Sequence, residues 1–76
     1  MKIFETSDFH TVTTLCTLGF AIECINKTNP NRYIFEFLDS PALQKHLKAY
    51  QQGLLRLDPR IVLINAKLVK DRMYEK

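Results

Sequence analysis

Residues 19–38 read GFAIECINKTNPNRYIFEFL, two alternating apolar runs on either side of an Asn-rich turn, and this stretch decides the fold. Successive side chains of a strand point to opposite faces. The spacing therefore predicts a β-hairpin whose one face carries Phe20, Ile22 and Cys24 with Tyr33, Phe35 and Phe37. The other carries Ala21, Glu23 and Ile25 with Ile34, Glu36 and Leu38. The aromatic row is the expected core, because cross-strand aromatic and aliphatic pairs add about 0.2–1 kcal/mol each beyond burial. The opposite face keeps Ile25, Ile34 and Leu38, more apolar surface than a solvated sheet usually shows, which calls for a third strand, a helix or another protein to cover it and makes these three the candidate protein-interface residues. The connection NKTNPNR, residues 26–32, is too long for a two-residue turn and contains Pro30, which cannot donate to a ladder. A mobile loop with Lys27 and Arg32 at its base is expected there.

Helix signals flank the hairpin on both sides. After residues 1–5, a short strand or a lead-in, Thr6-Ser7-Asp8 offers hydroxyls and a carboxylate to the first amides of a helix that Gly19 ends. Asp39-Ser40-Pro41 starts a second helix, running to about Gln52 with Leu43, Leu47 and Tyr50 inward and Lys45, Lys48 and Gln51 outward; Gly53 ends it. Asp58-Pro59 repeats the device and opens a third helix to about Tyr74. Over residues 61–64 that helix is apolar nearly all round, so its first half is expected to be the most buried segment of the chain. Further on, Val62, Ala66, Val69 and Met73 form one stripe. Asn65 and Arg72 share a face inside the apolar arc, which calls for a carboxylate partner such as Asp8 or Glu5, or for a ligand. The expectation is one α+β domain over residues 1–76 in the order (β)-α-β-β-α-α, a hairpin or three-stranded sheet packed against three helices.

A chain of 76 residues buries only about 60% of the surface it exposes when unfolded, so its stability is marginal and a partner helps. With 46% hydrophobic and 25% charged residues it has the composition of a globular domain, not of a disordered tail. No apolar run approaches the ~18 residues of a membrane span, and the N-terminus lacks a signal-peptide core, so a cytoplasmic protein without membrane contact is expected. Cys16 and Cys24 have no metal-ligand spacing and read as buried thiols in a reducing compartment.

Catalytic patterns are missing. The two glycines make no phosphate-binding loop, and His10 and His46 have no nucleophile set beside them. Cys16 lies on a core stripe, and the one carboxylate pair, Glu23 with Glu36, falls on an open sheet face where solvation is the simpler role. No catalytic residue, metal, cofactor or small-molecule substrate is assigned, and an enzyme is not expected. The net charge of +3 is uneven. Residues 1–38 hold three cations against four carboxylates, whereas residues 39–76 hold eight against four. Lys45, Lys48, Arg56, Arg60, Lys67 and Lys70, extended by Lys27 and Arg32, are the candidate nucleic-acid-binding residues, since phosphate contacts need cations and no particular sequence.

Thr6-Ser7-Asp8-Phe9, Leu18-Gly19-Phe20, Tyr33-Ile34-Phe35-Glu36-Phe37, Leu57-Asp58-Pro59-Arg60 and Arg72-Met73-Tyr74, in this order, resemble a small bacterial and phage family known only as a domain of unknown function. The resemblance implies small stand-alone proteins of bacterial, phage or mobile-element origin, with no assigned activity, cofactor or site. Taken with the charge, it leads to the expectation of a non-enzymatic accessory module of a nucleoprotein complex. The alternative is a protein-protein adaptor or inhibitor that uses the hairpin outer face and the C-terminal helix, a homodimer among its possible partners.

Overall fold

The structure, a computed structural model, describes residues 2–74. The chain runs β1 (Ile3–Thr6), α1 (Phe9–Thr17), β2 (Cys24–Asn26), β3 (Ile34–Leu38), α2 (Pro41–Gln51) and α3 (Pro59–Met73). This is the expected β-α-β-β-α-α order of an α+β fold. The N-terminal segment is a true strand: β1 pairs antiparallel with β3 from Ile3 opposite Leu38 to Thr6 opposite Phe35. β2 pairs antiparallel with the other side of β3, so the sheet order is β1-β3-β2 and the aromatic strand lies in the middle.

Local chemistry sets the helix ends. Asp8, Ser40 and Asp58 are the N-caps, accepting from the amides of His10, Leu43 and Arg60 respectively, and Pro41 and Pro59 begin α2 and α3 where a missing N–H costs nothing. In α1 the cap is thus Asp8, while the Thr6 hydroxyl accepts from the Asp8 amide at 3.2 Å. Both α1 and α2 close with a Schellman turn. Gly19 (φ +97°) donates to Cys16 and Phe20 to Leu15; Gly53 (φ +71°) donates to Tyr50 and Leu54 to Ala49.

That first turn corrects the hairpin. The Phe20 amide closes α1 and so cannot start a ladder, and the first paired strand is only Cys24–Asn26, preceded by one bond from the Glu23 amide to the Glu36 carbonyl at 2.7 Å. Residues 20–23 lie outside the pleat, so alternation does not carry across them, and the phase is set afresh at Cys24. Cys24 stands opposite Glu36 on the exposed face, and Ile25 stands opposite Phe35 and packs against the core. The expected positions of these two residues are exchanged.

All three helices pack on one face of the sheet. Phe35 and Phe37 are fully buried with Val12 and Leu15 of α1, Leu43 of α2 and Val69 of α3; Ile22 joins them, and Phe4, Phe20 and Tyr33 pack around the edge. The other sheet face carries Ile3 and Glu5, Ile34, Glu36 and Leu38, and Cys24 and Asn26, each exposed or half-buried.

The second correction concerns α3. Within the segment expected to be the most buried, Ile61, Leu63 and Ile64 are 44%, 70% and 56% exposed, and Val62 alone turns inward. α3 packs chiefly on α1. One neighbour covers one stripe of a helix, here Val62, Ala66, Val69 and Met73, whatever the hydrophobicity of the remaining faces.

Candidate protein-interaction surface

The uncovered flank of α3 carries Ile61, Ile64 and Leu68 at i, i+3, i+7 spacing, so the three side chains lie on one side of the helix. Leu68 is 54% exposed. Half-buried Asn65 sits among them, its amide donating to the Ile61 carbonyl at 2.9 Å, and Asp71 and Arg72 complete the stripe. Beside it opens a groove of about 330 Å³ between α3 and the end of α1, floored by Phe20, Ile22 and Val69 and edged by Leu68, Asn65 and Arg72. Cys16 also reaches this groove; burial pushes its thiol up, and the nearby Arg72 charge pulls it the other way. The carboxylates expected to pair with Arg72 are elsewhere. Asp8 caps α1, and Glu5 faces Glu36 across the sheet.

Of the residues expected on the outer sheet face, Ile34 and Leu38 are there, joined by Ile3, and Ile25 is not. This smaller apolar patch is divided by Glu5 directly opposite Glu36, among the described residues the only carboxylates the sheet aligns as Cα partners. Glu23 precedes β2, joined to β3 through its backbone amide. Among the described residues no group of three or more His, Cys, Asp or Glu is arranged to hold a metal ion. His46 meets the Phe20 ring edge-on, 5.9 Å between centroids, and His10 meets Phe9 in the same way.

The eight candidate phosphate-binding cations are dispersed over the hairpin loop, α2, the α2–α3 connection and α3. Lys27 donates to the Arg72 carbonyl at 2.9 Å and lies 5.7 Å from the Tyr33 ring centre. Arg32 donates to the Ser7 hydroxyl at 3.1 Å, and Lys70 stands 5.6 Å above the Phe9 ring. Arg60 pairs with Asp58 at 3.2 Å and, through its hydrogen bond, holds that carboxyl below the usual range. Lys45, Lys48, Arg56 and Lys67 are exposed. The loop at residues 26–32 is folded by its own side chains, Asn26 accepting from the Thr28 amide and Asn29 from the Asn31 amide, each at 2.9 Å. Its base is fastened to the body of the protein through Lys27 and Arg32.

The sequence profile of a family described as Domain of unknown function (DUF5659) matches residues 1–75. The chain belongs to the DUF5659 family. No curated protein and no solved structure matches it. In this DUF5659 chain Ile61 and Ile64 fell in the segment expected to be most buried, so sequence reading did not single them out with Leu68 as a surface, although Asn65 and Arg72 stood out as polar residues inside the apolar arc. Which side of the helix the rest of the chain would leave uncovered is a property of the packing, and no local pattern encodes it.

Proposed function

We propose that the chain is a non-enzymatic protein-binding module, an adaptor or inhibitor of bacterial, phage or mobile-element setting, that docks through the uncovered face of α3. The observation that carries this reading is the exposure of Ile61, Ile64 and Leu68, three large apolar side chains within two turns on one side of one helix. A contiguous apolar patch of this kind marks an interaction surface. Removing each from water contributes on the order of 1 kcal/mol, since part of every side chain is already covered. The bacterial or phage setting rests on the family resemblance.

Nucleic-acid backbone binding is a second proposal, supported by the exposed pair Lys45 and Lys48, one turn apart on α2. It ranks lower because Lys27, Arg32, Arg60 and Lys70 already have partners within the chain.

The test is the particle size of the protein in extract of its native host, read by size-exclusion chromatography with light scattering. A particle larger than the monomer that Ile64→Lys and Leu68→Lys disperse, and that nuclease leaves intact, supports docking through α3. Monomer-sized elution overturns it, and so does a particle that nuclease dissolves.

A further inference from the structure

We infer that the groove between α2 and α3 binds a small uncharged aromatic molecule bearing a hydroxyl, with Thr13 as its hydrogen-bond partner. The site is separate from the outer flank of α3 and does not depend on docking there. Both α2 and α3 pack on α1 and scarcely on each other, which leaves a groove of about 410 Å³ between them with α1 as its floor. Phe9 and Thr13 of α1, Tyr50 of α2, and Val62, Leu63 and Ala66 of α3 line it. Its size is that of a small-molecule site, and its walls are mainly apolar. Leu63, left 70% exposed by the packing of α3, is part of that wall.

Thr13 specifies the chemistry. It is 4% exposed, and its hydroxyl oxygen is buried without a hydrogen-bond partner. A threonine within a helix commonly donates its hydroxyl to the carbonyl four residues back. Thr14 and Thr17 do so, to His10 and Thr13, but Thr13 makes no such bond to Phe9. The chain thus carries, in the lining of a groove, an unsatisfied group that valine would remove at little cost in shape. Water fills such a place poorly, since a held water needs several polar partners and the side chains around Thr13 are mostly apolar. A hydroxyl on an apolar body meets both demands: it can donate to Thr13 and accept from it, while the body covers Val62, Leu63 and Ala66. The Phe9 and Tyr50 rings favour an aromatic body, because ring pairs gain beyond their burial. Among the described residues no Asp, Glu, Lys or Arg lines the groove, so a charged ligand would enter it unpaired and an uncharged one is selected.

Phenol is the probe, and toluene, the same ring without the hydroxyl, is its control. Each is titrated into the isotope-labelled full chain and followed by backbone amide shifts. Saturable shifts at Thr13, Tyr50 and Leu63 are expected in the millimolar range, with Glu36 and Leu38 on the open sheet face unmoved. Thr13→Val, whose fold circular dichroism checks, changes the ratio of phenol to toluene affinity by about fivefold in favour of toluene. Leu63→Ala, at an exposed position of the wall, weakens both probes by about threefold and leaves the ratio as it was. Shifts that do not saturate, or that spread to the sheet face, mean mere partition of an apolar solute and overturn the site. A ratio that Thr13→Val leaves unchanged overturns it as well, because the ligand would then be held without the hydroxyl that defines it.

Discussion

The ammonium of Lys27 donates to the main-chain carbonyl of Arg72 at 2.9 Å, across 45 residues of sequence. The contact ties the hairpin loop to the last turn of α3, where the helix carbonyls lack intrahelical partners and the dipole is negative. Lys27→Met keeps the aliphatic stem and removes the charge. It is expected to lower unfolding free energy by about 1 kcal/mol, read from urea denaturation, and to speed amide exchange in the final turn of α3. Unchanged exchange there would leave the tie without structural consequence.

Thr13 is 4% exposed, and its hydroxyl oxygen is buried without a hydrogen-bond partner, whereas the Thr11, Thr14 and Thr17 hydroxyls donate to Asp8, His10 and Thr13. A buried unsatisfied hydroxyl costs on the order of 1–3 kcal/mol, and valine has nearly the same shape and helix propensity. Thr13→Val is therefore expected to stabilise the fold by about 1 kcal/mol. The urea midpoint should rise with its slope unchanged. A lowered midpoint would mean that the hydroxyl has a partner in solution.

The Asp8 carboxyl is held below the ordinary aspartate range, chiefly by the Thr11 hydroxyl at 2.7 Å and further by amides of the first turn. With the folded value depressed, the contribution is complete above the unfolded value and disappears as pH falls through the folded one. Solvent screens so exposed a group, and its share is a few tenths of a kcal/mol, about 0.5 at most. Asp8→Asn keeps a capping oxygen and removes the titration. Its stability deficit at neutral pH is expected to shrink on acidification to below the aspartate range, measured by thermal unfolding across pH. A deficit constant with pH would locate the effect in the cap geometry alone.

Much of the fold was legible because short-range chemistry writes it. Ser40-Pro41, Asp58-Pro59, Gly19 and Gly53 each mark a helix end through a cap, a missing amide or a positive φ, and the structure places each end there. The strand phase at Ile25 was not legible, because it depends on whether the Phe20 amide bonds to α1 or to β3, a competition between a local and a distant acceptor. The exposure of α3 was hidden for a related reason. Hydrophobicity states what a residue gains by burial, and only the count of neighbouring elements states whether burial is available. The fastening of Lys27 to α3 and of Arg32 to Ser7 likewise joins residues far apart in sequence, so the loop looked free when read alone.

Glu5 and Glu36 are Cα partners on adjacent strands of the open sheet face, a like-charge pair in the register where opposite charges stabilise a sheet. The core face of the same two strands pairs Phe4 with Phe37, so the register is held from beneath and the two glutamates are carried into opposition. Glu36→Lys converts the repulsion into an attraction without touching the core. It is expected to raise stability by about 0.5 kcal/mol at neutral pH and low salt. The gain should fall in high salt, where exposed charges are screened. Glu36→Gln, which only removes the repulsion, should give a smaller gain with the same salt dependence. If both substitutions instead destabilise, the paired carboxylates are held together by something that binds them, and isothermal titration of the chain with a divalent cation would then show it.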